Sequence, residues 1–458
     1  MTPMMEQYLG IKKNYKDCIL FYRLGDFYEM FYEDAITASR ELGITLTARN
    51  SGKRKNTEDE NRIDMCGVPF HAAESYIGKL IRKGYKVAIC EQVSNPNASK
   101  DIVKREVIRV VTPGTVIDNN NLDETKNNYI MCIYQDAKGY GIGLSDVTTG
   151  EFLTTSFLKD EERKVIDEIA KFNPAEIIVN SEFANKDVVE NIFGIKLQTF
   201  VSWSFEYTSA CKKICSHFNI LSLSSFGIDD NEHSIKSCGA LLEYLYQTQM
   251  THLSHISSIK KYNLEQFMFL DIYSRKNLEL CQTIRDDNKK GSLLWILDKT
   301  KTSMGARLIR KWIEHPLSNV RQINKRLEAV YEYKQDSILR QDVRDSLEKI
   351  KDIERIMARI IYGTANGQDL IALKKSFEYL PEIKKCLNGF KYSLNKKLYD
   401  ELDCLEDVLH LIRDSINEDV STSIRDGNII KDGFNSELDI YRGATRSYTI
   451  KQNVGIAV

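Results

Sequence analysis

The chain has 458 residues, 42% of them hydrophobic and 28% charged, with 64 basic side chains against 65 acidic ones. That length suits about three domains with sizeable cores, and the balanced charge excludes a globally cationic nucleic-acid binder, so any such surface has to be local. No run of about 18 apolar residues exists to span a membrane, the stretch Met1 to Tyr8 lacks the basic and apolar regions of a secretory signal, and ten cysteines without framework spacing read as the reduced thiols of a cytoplasmic protein.

Residues 1–116 alternate strand-like and helix-like stretches. Cys18 to Leu24 is short and apolar, as a buried strand is. From Phe27 to Leu42 apolar residues recur at helical spacing, and Gly43 suits a helix stop. Ile44 to Thr47 reads as a strand, and the basic stretch Arg49 to Arg62 as a loop. Tyr76 to Lys83 reads as a helix, and Tyr85 to Cys90 and Val107 to Val111 as strands that complete a mixed α/β module closed by Pro113-Gly114. Residues 117–128, rich in Asn and Asp, make a linker.

Three strands are expected in quick succession at Tyr129 to Tyr134, Tyr140 to Val147 and Glu151 to Phe157, with Thr149-Gly150 as a tight turn. A helix from Glu162 to Phe172, a strand from Ala175 to Val179 and further helices to about Gln249 make residues 129–255 a second α/β domain. Beyond Leu264 strand signals fade, and amphipathic helices follow one another through 256–442, with apolar marks at Leu278, Leu293, Leu297, Leu308, Ile323, Ile356 and Leu411. Asp426-Gly427 and Asp432-Gly433 bracket Ile429-Ile430 as a hairpin-like turn pair, and Ser436 to Arg442 opens another helix. The fold class is multidomain, α/β followed by all-α.

Candidate chemistry is sparse. A phosphate-cradling P-loop needs two glycines with four residues between them, then Lys and Ser or Thr; neither Gly52-Lys53 nor Gly78-Lys79 fits. Gly139, Gly141 and Gly143 resemble a dinucleotide loop only loosely and suit a strand with small residues on one face. Cys211, Cys215 and His217, with His233, have partial zinc-ligand spacing, but a second cysteine pair is missing. Asp146, beside Asp136 and Asp167, would be the centre of a metal-dependent nuclease if the carboxylates converged. Gly25-Asp26-Phe27-Tyr28-Glu29 leaves two readings open: a capping box with Asp26 as N-cap and Glu29 at N3, or an apolar wedge at Phe27 that enters a base step, as in DNA-kinking proteins.

An ordered set of motifs resembles the MutS family of mismatch-recognition proteins. It comprises Thr2 to Tyr8, Phe21 to Phe31, Met65 to His71, Val87 to Gln92, Val110 to Thr115, Leu144 to Gly150, Leu270 to Leu278, Gly291 to Pro316 and Ile424 to Leu438. The resemblance implies a mismatch-binding domain (1–116), an RNase H-like connector (129–255) and a helical core or lever domain (256–442), with a divergent tail at 443–458. It also implies that Phe27 stacks on a mispaired base of double-stranded DNA while Glu29 hydrogen-bonds to it. Arg49, Lys53, Arg54 and Lys55 are then candidates for DNA backbone contact. No metal and no cofactor are expected in this chain; the family's ATP and Mg belong to an ATPase domain that the motifs here do not include. The family's MutL-type partner and its homodimer are the implied protein partners, although the motifs include neither the clamp nor the main dimer interface. No membrane partner is implied.

Overall fold

In the computed structural model, which describes residues 2–50, 62–93, 103–117, 122–421 and 426–444, the alternating first stretch becomes a mixed six-stranded sheet with helices on both faces. Helix α1 (Pro3–Lys12), opened by a proline whose missing N–H has no partner in a first turn anyway, precedes β1 (Cys18–Leu24), β2 (Phe27–Phe31), α2 (Glu33–Leu42), β3 (Thr47–Asn50), β4 (Arg62–Pro69), α3 (Ala73–Arg82), β5 (Lys86–Gln92) and β6 (Arg105–Val111). The strand order is β3-β4-β2-β1-β5-β6, with β1 and β5 parallel and the other neighbours antiparallel. Side chains on a strand alternate between faces. Ile19, Phe21, Tyr28 and Met30 accordingly join a core with α2 and α3, while Leu20, Tyr22 and Phe31 join a second core under Met5 and Tyr8 of α1.

The helix expected from Phe27 to Leu42 is therefore two elements. Phe27–Phe31 is a strand, and the helix begins at Glu33, after Tyr32 takes a φ of 55°. Phe27, Met30 and Phe31 also fit helical spacing, but over five residues the two periods cannot be told apart, and pairing with β1 and β4 decides the outcome. The strand expected at Ile44 to Thr47 begins only at Thr47 and runs on to Asn50.

The second sheet follows the expected meander: β7 (Tyr129–Gln135), β8 (Gly139–Asp146), β9 (Glu151–Leu158), α4 (Glu162–Phe172), β10 (Glu176–Val179), α5 (Lys186–Phe193), β11 (Leu197–Thr199), α6 (Tyr207–Phe218), α7 (Glu232–Gln249) and β12 (Lys260–Lys261). Its order is β11-β10-β7-β8-β9-β12. The glycine run lies in β8, where a Cβ at Gly141 would sit 2.0 Å from the His233 carbonyl oxygen and one at Gly143 3.2 Å from that of Ser237. The missing side chains let α7 lie directly on the strand. The two sheets are joined around Glu176, which is 5% exposed. Its carboxylate accepts hydrogen bonds from the Thr112 and Tyr244 hydroxyls and the Gly114 amide, and lies 3.7 Å from Lys86 Nζ.

Two units are distinguished by their internal contacts, Met1–Asp298 with Arg307–Pro316, and Lys299–Ala306 with Leu317–Val458. After β12 come the short helices α8 (Ile272–Asn277) and α9 (Leu293–Leu297), then α10 (Ser303–Glu314). Positive φ at Glu279 and Asp287 breaks the chain between α8 and α9. Leu278, at the C-cap of α8, and Leu293, in α9, accordingly belong to successive short helices, as expected, but both are exposed and neither marks a buried apolar face. In the second unit, α11 (Val320–Gln335), α12 (Ser337–Leu347), α13 (Ile353–Ile361), α14 (Gly367–Glu378), α15 (Leu380–Leu387), α16 (Ser393–Glu401) and α17 (Glu406–Ser415) pack around Ile356, Ile371, Phe377, Leu409 and Ile412. The expected turn pair around Ile429-Ile430 does not close on itself; Ile430 bridges to Ile416 just past α17. No helix among the described residues is long and apolar enough to cross a membrane, and all ten cysteines are free thiols.

Candidate functional site

The segment Gly25 to Glu29 forms the turn and outgoing strand of the β1–β2 hairpin. Gly25 adopts a φ of 57°, the left-handed conformation that a side chain resists, and Leu24 pairs with Phe27 across the turn. The turn is clamped from both sides. Arg23 donates from Nε to the Gly25 carbonyl at 2.5 Å, and the Asp26 carbonyl accepts from the Phe70 amide at 2.8 Å. The Arg23 guanidinium lies 3.6 Å from the centre of the Phe70 ring, within cation–π range. A capping box is excluded, because Asp26 heads no helix and Glu29 sits in the strand ladder opposite Tyr22 and Gly67.

Alternation along β2 then sorts the two aromatics. Tyr28 is buried on the face of α2 and α3, its ring 5.9 Å from Phe21 and 5.7 Å from Phe70, and its hydroxyl donates to Glu91. Burial and the adjacent Glu91 push its phenol well above its usual pKa. Phe27 and Glu29 share the opposite face with Phe31. Phe31 is covered by Tyr8 of α1, at 5.0 Å between ring centres, whereas Phe27, two pairs further along, stays 47% exposed. Gly67 of β4 lies across from both: a Cβ there would stand 3.5 Å from Glu29 Cγ and 3.9 Å from Phe27 Cδ1. The site thus presents an exposed phenyl ring and a half-buried carboxylate side by side on a braced hairpin.

Three supports were not singled out from sequence. Arg23 and Phe70 hold the turn, and Arg105, 9% exposed, reaches from β6 to donate to the Arg23 carbonyl at 2.7 Å. Gly67 carried a signal, as a glycine between apolar neighbours within a strand, the mark of close approach. Of the basic candidates, Arg49 belongs to β3 and pairs with Ile63; its side chain, and Lys53, Arg54 and Lys55 altogether, lie outside the described residues.

The rival chemistries do not assemble. Asp146 is fully buried and its carboxylate is committed to the Thr148 amide and hydroxyl at 2.9 and 2.7 Å, the Asn127 side chain at 2.7 Å and the Asn128 amide at 3.2 Å. Asp136 follows β7 at the far end of the β7–β8 hairpin, about 20 Å away by strand rise. There its pKa is held down, against the effect of burial, by His233 and by the Lys138 and Gly139 amides. Asp167 is on α4 and accepts from the Ile272 amide. His217 is engaged by Tyr246 Oη at 2.8 Å and the Ile256 carbonyl at 2.9 Å, and no group of three or more metal-ligating side chains exists among the described residues.

Family models for MutS domain I, domain II and domain III match residues 2–120, 128–257 and 273–454 in that order. The protein named DNA mismatch repair protein MutS from Ruminiclostridium cellulolyticum is 50% identical over 450 residues, covering 97% of this chain and 50% of the relative. Its namesakes from Acetivibrio thermocellus and Clostridium tetani are 49% and 45% identical, each over 97% of this chain and about half of their own length. The chain spans about half the length of the curated relatives it matches. With three successive domain models covering most of its residues, the chain belongs to the MutS family.

Proposed function

We propose that this chain is a DNA-binding module that recognises mispaired steps, with Phe27 as the intercalating wedge and Glu29 as the group that meets the displaced base. The observation that carries the reading is the pairing of an exposed phenyl ring with a carboxylate on one face of a clamped hairpin. A mispaired step costs less to unstack and kink than a paired one, so a wedge reads deformability in place of sequence. Bracing by Arg23, Phe70 and Arg105 lowers the ordering cost of inserting the ring. A carboxylate brought toward phosphate-rich DNA is penalised unless a base offers it a proton, so Glu29 supplies discrimination while Phe27 supplies affinity.

The relatives' shared name, DNA mismatch repair protein MutS, supports the same reading. We assign no catalysis to this chain; ATP and Mg are attributed to the family and not to residues present here. Fluorescence anisotropy with a single-mismatch duplex and its matched counterpart tests the proposal. The mismatch should bind more tightly, and Phe27→Ala should weaken it by about 5- to 100-fold, the worth of one base–aromatic stack. Glu29→Ala should narrow the mismatch-to-match ratio more than it lowers affinity. Equal affinity for both duplexes, or a preference that survives Phe27→Ala, refutes the proposal.

A further inference from the structure

Away from the hairpin, and wholly inside the first unit, a cavity of about 320 Å³ lies between the 126–129 segment, α4, α8 and α10. Basic side chains outnumber acidic ones in its lining, where Asp287 and Glu314 are the carboxylates. Four of the cations already have a carboxylate partner: Lys171 with Glu168 at 3.1 Å, Lys126 with Asp123 at 3.7 Å, Arg310 with Glu314 at 3.6 Å, and Lys311 with Glu151. Arg275 and Lys276, on the last turn of α8, have no carboxylate within 4.0 Å among the described residues. Arg275 is half-buried, and its Nε donates to the Leu270 carbonyl at 3.0 Å.

Two further groups point to a missing acceptor. Arg310 Nε is buried without a hydrogen-bond partner, and so is Nε2 of His315, a residue only 7% exposed. Burial, reinforced by Lys171, Lys311 and Arg275, pushes His315 down to about 2, so the ring is neutral; in the tautomer with the hydrogen on Nε2 that atom is a donor facing the cavity lining. Burial likewise draws the Arg275 guanidinium below its usual range. Glu314, which lines the same cavity, Glu168 and Asp167 offset this only in part and none lies within 4.0 Å; a partly desolvated guanidinium without a close ion partner is unfavourable, and a bound oxyanion would relieve it. The aromatic rings of Tyr129 and Phe172 wall the same cavity, whose volume falls at the lower end of the small-molecule range.

We propose that this cavity binds a small phosphate-bearing ligand, with the Arg275 and Arg310 guanidinium groups and the Lys276 ammonium holding the phosphate and His315 as a neutral partner beside it. Guanidinium forks suit a tetrahedral oxyanion better than isolated ammonium groups do. The site is independent of the hairpin and does not rest on the mismatch reading.

Isothermal titration of the 458-residue chain at fixed ionic strength, with inorganic phosphate, thymidine 5′-monophosphate and thymidine as probes, tests this. Both phosphate-bearing probes should bind and thymidine should not. Tighter binding of the monophosphate identifies a nucleotide-type ligand, and equal binding identifies free phosphate. Arg275→Met should weaken binding by about tenfold or more, Phe27→Ala should leave it unchanged, and the exposed-site variant Lys276→Ala should weaken it in a chain whose fold is not at stake. Absence of binding at millimolar phosphate, equal binding of thymidine, or affinity unmoved by both Arg275→Met and Lys276→Ala overturns the proposal.

Discussion

Replacing Phe27 and Tyr28 by alanine, one at a time, should give opposite phenotypes although the residues are adjacent. Tyr28 is 4% exposed and Phe27 47%. An aromatic side chain offers roughly 150–250 Å²; at about 25 cal/mol per Å², burying nearly all of Tyr28 is worth about 4–6 kcal/mol, and about half of Phe27 about 2–3 kcal/mol. These are upper values, because the unfolded chain already hides some surface and alanine keeps its methyl. The net costs are therefore about 3–5 kcal/mol for Tyr28→Ala, the range for a buried aromatic, and about 1–2 kcal/mol for Phe27→Ala. Hydrogen exchange of amides in β1, β2 and β5 reads this locally, which matters in a multidomain chain that need not unfold in one step. Exchange should accelerate by about 140- to 4000-fold in Tyr28→Ala and by about 5- to 30-fold in Phe27→Ala. Mismatch affinity should fall in Phe27→Ala with the fold intact. Equal acceleration by the two variants would refute the strand alternation on which the site is built.

Other consequences can be checked on the same chain. Gly141→Ala places a methyl 2.0 Å from the His233 carbonyl oxygen, so α7 has to shift off β8; a loss of about 1–3 kcal/mol is expected, seen as faster exchange in β7–β9 and a lower melting temperature. Glu176→Ala removes the shared acceptor at the joint between the sheets, leaving Lys86 to Asp17 and Gln198, the Thr112 hydroxyl to Thr115 and the Tyr244 hydroxyl to Gln198; a cost of about 1–3 kcal/mol is expected, and limited proteolysis between β6 and β7 should speed up. His217, His255 and His315 are all held below their usual pKa, first of all by burial. Their folded forms bind fewer protons than the unfolded chain, so the stability they protect is complete above about pH 6.5 and falls as the pH drops toward their folded values. For His315, whose folded value is about 2, the slope is about 1.4 kcal/mol per pH unit below about pH 6; His315→Phe should remove one proton from the pH dependence of denaturant unfolding, and an unchanged slope would contradict its burial as a neutral ring.

The second sheet was legible in the sequence because its signals agree at every level. Strands β7 to β9 are separated by turn residues, α4 has a clear apolar period, and the small-residue face of β8 was readable from its glycines alone. The hairpin was not. Phe27, Met30 and Phe31 satisfy a helix and a strand equally, and what decides between them is β4, whose pairing residues lie about forty positions later. The same limit hid the braces: Arg23, Phe70 and Arg105 come from three separate strands or strand ends, and nothing local in the sequence shows that they meet. Asp146 could not be decided from sequence for a related reason, since a strand-end carboxylate looks alike whether it faces a metal or is bound by the amide and hydroxyl of its own turn.

The change from helix start to hairpin alters the physical argument for the wedge. In a helix, Phe27 and Glu29 would lie about 200° apart around the axis, and a carboxylate that closed a capping box could not also meet a base. In the strand the two side chains share a face by the two-residue period, with Gly67 leaving the space between them and the neighbouring strand open. Behind the ring, the next residue of the strand, Tyr28, is packed between Phe21 and Phe70. The sheet that carries the ring is tied, through Lys86 on β5 and the 112–114 turn, to Glu176 of the next sheet. On the proposed reading, a wedge mounted this way resists displacement by a well-stacked base pair and so discriminates by the cost of deformation.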